Sequence, residues 1–182
     1  MNLIKTKLDG LVVLKPTVFN DNRGCFMESY NQNIINKLFG NINFVQENES
    51  ESFRGVLRGL HFQKPPYTQA KLVRCLKGNV LDVVLDLRMD SKTYGHFETK
   101  VLSYENKEQL FIPRGFAHGF VVLSKSAIFS YKVDNYYNPV SESGVLWSDL
   151  DLNIDWKINK KEIIVSEKDK NLPTFNKIIS PF

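Results

Sequence analysis

Residues that build metal clusters and disulfide frameworks are scarce in this sequence, since its 182 residues include only two cysteines and three histidines. Cys25 and Cys75 lack the short spacing of a zinc-binding pair, which favours reduced thiols and a cytoplasmic location. No apolar run reaches the roughly 18 residues of a membrane helix, and the polar residues 1–10 lack a signal-peptide core. The sequence therefore predicts neither a membrane-spanning helix nor a cysteine-based framework.

Excess charge is also modest, with a net charge of +4. Scattered lysines are enough to explain this charge, and a small anionic ligand such as a nucleotide phosphate is compatible with it. No basic stripe with interleaved aromatic residues is present, so a nucleic-acid partner is not expected. The hydrophobic share of 42% favours a single domain over residues 1–182, with its core at about 10–170 and a surface-packed tail at 171–182.

Apolar residues alternate along much of the chain, as is typical of strands. From Val80 to Arg88, alternation places four aliphatic residues on one face and Asp82 and Asp86 on the other, beside Val80 and Val84. Turn residues such as glycine and asparagine bound many of these segments. Further strands are predicted at Leu11–Phe19, Gly24–Tyr30, Phe44–Asn48, Val56–Gln63, Lys71–Leu76, Phe97–Ser103, Gln109–Pro113 and Phe120–Asp134.

Only two helices are predicted. One covers Asn31–Phe39, with Gly40 as its stop signal, and a short one begins after Ser166, a good N-cap that Asp169 follows three residues later. Many short strands without alternating helices predict an all-β fold of the sandwich, jelly-roll or barrel type. Such a barrel can hold one small ligand, but the fold does not specify which ligand.

Two of the three histidines lie next to glycines and a cation in apolar, strand-like segments. His61 lies in Arg58-Gly59-Leu60-His61-Phe62-Gln63, which Lys71 follows, and His118 lies in Pro113–Phe120. A base beside a fixed cation suits the removal of a proton next to a carbonyl. A lone histidine is more often a buried residue that hydrogen-bonds a backbone carbonyl, but buried cations are rare unless they are paired or used.

The pattern Pro113-x-Gly115-x-x-His118 resembles the second sequence motif of the cupin barrels. The first cupin motif would supply two histidines one residue apart and then a glutamate, whereas this chain has His61-Phe62-Gln63. A metal site needs three or more ligands around one centre, and His61, His118 and Gln63 make a poor set. The sequence therefore predicts a metal-free cupin.

The chain as a whole resembles the dTDP-4-dehydrorhamnose 3,5-epimerase family, over about residues 10 to 170 and with family-like spacing. This resemblance implies a jelly-roll cupin, usually a homodimer, that uses no metal or organic cofactor and acts on a dTDP-4-keto-6-deoxy-hexose. Two positions depart from the family pattern, Cys25 in place of an aromatic residue and Glu47 in place of an aspartate. The segments that carry the resemblance are Arg23-Gly24-x-Phe26-x-Glu28, Gln46-Glu47-Asn48, Gly55–Gln63, Lys71-Leu72-Val73, Gly78–Val83, Asp86-Leu87-Arg88, Ile112–Phe120, Tyr131-Lys132, Tyr136-Tyr137, Asp155-Trp156 and Ser166–Asp169.

The resemblance also assigns catalytic roles. It implies that His61 is the base, that Asp169 orients its ring, and that Tyr131 is the acid on the opposite face of the sugar. Lys71 would stabilise the negative C4 oxygen, and His118 would bind nearby. For any single tyrosine, packing is the default interpretation, so the role of Tyr131 depends on the whole set.

Substrate-binding roles follow in the same way. Three cations are expected at the diphosphate, three polar residues at the base and sugar, and two aromatic rings against the thymine. In that order, the residues are Arg23, Arg58 and Lys168; Gln46, Asn48 and Glu28; Phe26 and Tyr137. Glu142 is also predicted to bind the substrate, without an assigned contact. One difficulty is that strict alternation puts Arg58 and His61 on opposite faces, so either Gly59 forms a bulge or Arg58 serves a site across a dimer interface.

The predicted function is therefore epimerisation at C3 and C5 of dTDP-4-dehydro-6-deoxy-D-glucose, a step towards dTDP-L-rhamnose. An epimerase that inverts only C3 or only C5 of a related nucleotide sugar is one alternative. A metal-dependent cupin and a non-catalytic sugar-nucleotide binder are alternatives of other classes.

Overall fold

The computed structural model describes all residues from 1 to 182. It confirms the predicted all-β jelly roll, in which a six-stranded sheet and a five-stranded sheet face each other and a separate two-stranded hairpin stands beside them. All strand pairs in these sheets are antiparallel. The six-stranded sheet contains, in spatial order, β1 (Asn2–Lys5), β2 (Val12–Lys15), β10 (Gln109–Ile112), β7 (Lys71–Lys77), β12 (Ser126–Val133) and β5 (Gln46–Phe53).

The five-stranded sheet and the hairpin complete the β-structure. The five strands are, in spatial order, β13 (Glu142–Gly144), β6 (Leu57–Gln63), β11 (Phe116–Val122), β8 (Asn79–Asp86) and β9 (Phe97–Ser103). The hairpin pairs β3 (Val18–Asp21) with β4 (Gly24–Met27). Helices are few: α1 (Gln32–Phe39), α2 (Glu167–Lys170) and the 3-10 turns Lys160–Glu162 and Phe175–Lys177. None of them is long and apolar enough to cross a membrane.

Several predicted strands differ from the structure in their extent. β4 ends at Met27 instead of Tyr30, and β5 covers Gln46–Phe53 instead of Phe44–Asn48. Two other predicted strands each correspond to two strands of the structure. The predicted strand Leu11–Phe19 is interrupted at Pro16, which cannot donate a ladder hydrogen bond, and becomes β2 and β3. The predicted strand Phe120–Asp134 is two strands, because a turn over residues 123–125 reverses the chain between β11 and β12. Strands β1 and β13 were not predicted, since one is an exposed edge and the other has only three residues.

The alternation predicted along β8 is confirmed by its packing. Three of its aliphatic residues, together with Leu87 just after the strand, join a cluster on the outer face of the five-stranded sheet, and Val80 and Val84 join a cluster between the two sheets. The outer cluster is covered by the C-terminal segment, which includes Trp156. The predicted tail 171–182 packs on this same face, where the ring of Phe182 lies 5.7 Å from that of Phe62.

Both predicted helices are present. The second begins at its predicted cap, Ser166, whereas Asn31, predicted as the first residue of the other helix, is its N-cap. The side chain of Asn31 accepts hydrogen bonds from the backbone at the start of α1, and Gly40, with φ of 79°, ends that helix. The Ser166 hydroxyl accepts a hydrogen bond from the backbone N–H of Asp169 at 3.1 Å. This cap fixes the short turn of α2 that carries Asp169 towards the five-stranded sheet.

Candidate active site

A cavity of about 690 Å³ opens between the two sheets. The six-stranded sheet contributes Lys71 and Tyr131 to its wall, the five-stranded sheet contributes His61, and α2 contributes Asp169. All four residues predicted to be catalytic therefore line one cavity, although the first and last of them are far apart in sequence.

His61, which is partly buried, and Asp169, which is buried, form a dyad at one wall of the cavity. Nε2 of His61 lies 2.7 Å from Oδ1 of Asp169, and the backbone N–H of Gly59 donates to the other carboxylate oxygen at 3.3 Å. Burial opposes ionisation of Asp169, but the hydrogen bond and charge of His61 outweigh burial and hold the pKa of this carboxyl below its usual value. With Nε2–H donated to a carboxylate, Nδ1 of His61 is left as the basic nitrogen.

A β-bulge explains how Arg58 and His61 reach the same cavity. On β11, His118 pairs with His61 and Phe120 pairs with Arg58, so two residues of β6 oppose a single residue of β11. Gly59 has φ of +125°, and a Cβ there would stand 2.5 Å from Cα of Gly119. Only glycine fits this crossing. The bulge reverses the parity of the strand, and both side chains line the cavity.

His118 lies beside this dyad and has a carboxylate of its own. Its Nε2 is 2.8 Å from Oδ2 of Asp82, which is fully buried on β8. Asp82 was not among the predicted site residues. The sequence signal that could have identified it is its place in the alternating strand, which puts this carboxylate on the same inward face as the buried Val80 and Val84.

Lys71 and Tyr131 face the histidines from the opposite sheet. Burial lowers the pKa of Lys71 to about 8, although the negative charges of Asp82 and Glu142 oppose this shift. Burial raises the pKa of the Tyr131 phenol, which therefore stays protonated at neutral pH. The cavity thus has a basic imidazole, His61, on one side and a protonated phenol, Tyr131, on the other. The ammonium of Lys71, whose pKa is lowered, also faces into it.

A second cavity of about 300 Å³ adjoins the first, and both are lined by His61, Lys71, Tyr131 and Glu142. The Glu142 carboxylate accepts hydrogen bonds from Nζ of Lys168 at 2.7 Å and from the hydroxyl of Tyr137 at 2.8 Å. The side chain of Gln46 donates to that of Asn48 at 2.9 Å. The residues predicted to bind the substrate that line one or both of these cavities are Arg58, His118, Glu142, Lys168, Gln46, Asn48 and Tyr137.

Three predicted substrate-binding residues lie elsewhere in this chain. Arg23 and Phe26 belong to the hairpin of β3 and β4, where the Arg23 side chain pairs with Asp21 and Phe26 is 71% exposed. Glu28 follows the hairpin and accepts a hydrogen bond from the Asn31 side chain at 3.0 Å. None of the three lines either of the two inter-sheet cavities of its own subunit.

No group of three or more His, Cys, Asp or Glu side chains lies close enough together to hold a metal ion. His61 and His118 are each engaged by a separate carboxylate. Each of the two histidines that line the cavity is thus paired with an aspartate.

Comparison with known proteins gives consistent results. The family model for dTDP-4-dehydrorhamnose 3,5-epimerase matches residues 5–177. A curated dTDP-4-dehydrorhamnose 3,5-epimerase from Shigella flexneri is 50% identical over 172 residues, which cover 94% of each chain. The crystal structure of a dTDP-4-dehydrorhamnose 3,5-epimerase from Elizabethkingia anophelis NUHP1 superimposes with a TM-score of 0.93 and 54% identity, over 97% of both chains.

A further solved structure contains a sugar nucleotide. It is the dTDP-6-deoxy-D-glucose-3,5-epimerase from Legionella pneumophila Philadelphia 1 in complex with dTDP-4-keto-L-rhamnose, and it has a TM-score of 0.93 and 44% identity. The match covers 98% of the present chain and 94% of that chain.

Proposed function

The chain belongs to the dTDP-4-dehydrorhamnose 3,5-epimerase family and is an isomerase, and we propose that its inter-sheet cavity inverts C3 and C5 of dTDP-4-dehydro-6-deoxy-D-glucose. The product is dTDP-4-dehydro-L-rhamnose, a precursor of dTDP-L-rhamnose. The observation that supports this reaction most strongly is that His61 and Tyr131 line one cavity from opposite sheets.

The chemistry follows from the ketone at C4 of the sugar. The hydrogens on C3 and C5 are acidic because each lies next to this carbonyl, and removal of one gives an enolate with negative charge on the C4 oxygen. Return of a proton to the opposite face of the carbon inverts that centre. The reaction needs a base, an acid across the ring, and a positive charge at the oxygen.

His61 is suited to act as the base. Asp169 is only 3% exposed and holds the imidazole through Nε2, so that Nδ1 remains to take the proton. As the imidazolium forms, the carboxylate 2.7 Å away stabilises it. The bulge at Gly59 brings the strand into the position from which His61 and Arg58 face the same ligand.

Lys71 is suited to stabilise the enolate. With a pKa of about 8 it is mostly an ammonium at neutral pH, and it is partly buried, so that charge interactions are stronger than in bulk water. Loss of one such donor typically costs about 2.7–4 kcal/mol of transition-state stabilisation. Tyr131, which keeps its proton, returns a proton from the six-stranded sheet.

The second cavity is suited to the nucleotide part of the substrate. Its amide side chains can hydrogen-bond a pyrimidine edge, and the exposed ring of Tyr137 can stack on the base. The Arg58 guanidinium, which lines the adjoining first cavity, can contact the diphosphate. Lys168 is paired with Glu142 and can exchange this partner for a phosphate oxygen. These contacts would hold the sugar between His61 and Tyr131.

The active protein is proposed to be a homodimer in the cytoplasm. The hairpin of β3 and β4 presents Phe19, 62% exposed, and Phe26, 71% exposed, to solvent, while the predicted ligands Arg23 and Phe26 lie outside the cavities of their own subunit. In a two-fold symmetric dimer each hairpin would complete the site of the other subunit. Sedimentation of the purified chain as a dimer would support this arrangement.

Incubation of the protein with dTDP-4-dehydro-6-deoxy-D-glucose in deuterated water tests the reaction. We expect deuterium at both C3 and C5, and the L-rhamnose precursor as product. Label at one carbon only would identify a 3-only or 5-only epimerase. Binding of dTDP without any label would instead indicate a non-catalytic sugar-nucleotide binder and would refute the proposed reaction.

A further inference from the structure

Asp82 is an unusual residue for the middle of a core strand. Its side chain is fully buried on β8, and its inner-face neighbours Val80 and Val84 belong to the apolar cluster between the sheets. One carboxylate oxygen contacts Nε2 of His118 at 2.8 Å. The other oxygen, Oδ1, is buried and has no hydrogen-bond donor.

A second carboxylate on the same strand shows what a structural role looks like. Asp86 is also fully buried, but its carboxylate accepts hydrogen bonds from the side chains of Arg88, Ser91 and Thr93. These contacts tie down the loop between β8 and β9. Asp86 is therefore explained by the fold, whereas the only hydrogen-bond partner of Asp82 is a residue of the cavity.

A half-satisfied buried carboxylate is costly to the fold, because an apolar side chain of similar size would avoid the desolvation. The desolvation cost of the Asp82 carboxylate is offset by residues that line the cavity. Burial raises the pKa of Asp82, but the hydrogen bond to His118 and the positive charges of His118 and Lys71 oppose this shift and favour the carboxylate. Since both partners belong to the half of the site that is proposed to face the C4 oxygen, the cost of burying Asp82 is linked to the proposed reaction.

We propose that Asp82 is a positioning residue for the oxyanion half of the site, where it fixes the His118 ring and supports the ammonium of Lys71 with its negative charge. This inference rests on the proposed function. It assigns a role to a residue that does not itself line either of the two inter-sheet cavities.

The pH dependence of turnover gives a readout that a purely structural residue would not change. The titratable groups that face Lys71 are Asp82 from β8, His118 from β11, His61 from β6, Tyr131 from β12 and Glu142 from β13. A negative charge nearby raises the pKa of an ammonium. Removal of the Asp82 charge should therefore lower the pKa of Lys71 below its present value of about 8.

The test is Asp82→Asn, with Asp86→Asn as the matched control on the same strand. For Asp82→Asn we expect kcat to fall at least tenfold, KM to stay within threefold, and the alkaline limb of the kcat profile to move to lower pH. For Asp86→Asn we expect a lower melting temperature but a kcat within threefold of the unmodified protein and an alkaline limb that does not move. Binding of dTDP reports that each variant is folded.

Two results separate this inference from the proposed function. If the unmodified protein exchanges deuterium at C3 and C5 but the alkaline limb of Asp82→Asn stays in place, the role of Asp82 is refuted and the reaction stands. If the unmodified protein exchanges no deuterium, the proposed function fails and the inference fails with it. Should the amide variant not fold, Asp82→Ser carries the same expectations for kcat and for the alkaline limb.

Discussion

The layer between the two sheets is filled in two different ways by the same strands. Val73 on β7 and Val84 on β8 are at most 1% exposed and belong to the apolar cluster. Lys71 and Asp82 lie two residues away from them, on the same inner faces, and belong to the polar site. On β12, the fully buried Phe129 belongs to the cluster and also borders the cavity, and Tyr131 follows two residues later. A step of two residues along a strand therefore leads from the core into the site.

The apolar part of this layer stabilises the fold, and the rigid strands that result hold the polar side chains of the site in place. Fifteen buried residues from both sheets pack in the apolar cluster, and strands held in this way fix their neighbouring side chains more precisely than loops can. The polar part leaves the Asp82 oxygen unsatisfied and keeps space open for a ligand. Mutations in the two parts should consequently separate activity from stability.

The largest expected effect is on the polar side. His61→Ala removes the proposed base, so deuterium exchange should fall by about 10²–10⁴-fold, the usual contribution of a general base. Affinity for dTDP should stay within a few-fold, because the role proposed for the ring is proton transfer at the sugar. Mass spectrometry of the exchanged sugar measures the first quantity, and calorimetric titration measures the second.

His96→Ala is the matched control for this variant, since His96 is the one histidine outside the site and is exposed. Its exchange rate should equal that of the unmodified protein. Retained exchange in His61→Ala would contradict the assignment of the base.

The next effect is expected on the apolar side. Leu110 on β10 is 1% exposed within the apolar cluster and lines neither of the two inter-sheet cavities. Leu110→Ala should lower the free energy of unfolding by about 2–5 kcal/mol through lost burial and a residual cavity. Denaturant unfolding measures this loss, and kcat at a temperature where the variant is folded should change little.

Leu150→Ala serves as the control, because Leu150 is 84% exposed and buries little area. Its unfolding free energy should stay within about 0.5 kcal/mol of the unmodified protein. A loss of kcat in Leu110→Ala as large as that in His61→Ala would mean that the two parts of the layer are not separable.

Sequence patterns predict the apolar part of this layer better than the polar part. Period-two alternation identified both faces of β8, and capping chemistry located the turn that carries Asp169. Alternation could not place Arg58 beside His61, because a bulge reverses the strand parity. The pairing of Asp169 with His61 across most of the chain came from the family resemblance. Asp82 was missed because a carboxylate on an alternating strand is normally assigned to the solvent face.

The smallest expected effect lies outside both parts of the layer, on the hairpin. If Phe26 of one subunit stacks on the thymine bound by the partner subunit, Phe26→Ala should raise KM with a loss of about 1–3 kcal/mol in binding and leave the fold stable, since the ring is 71% exposed. Tyr104→Ala, which removes an exposed aromatic residue away from the site, should leave KM unchanged.

Mixing the two defective chains shows which site the hairpin serves. In a mixed dimer of His61→Ala and Phe26→Ala subunits, the second subunit keeps its own His61 and receives the intact Phe26 of the first. One complete site is thereby restored, so at low substrate concentration the mixture should be more active than the sum of its two components. Activity equal to that sum would mean that Phe26 contributes to the site of its own subunit or to neither site. It would remove the argument for a site built from two chains.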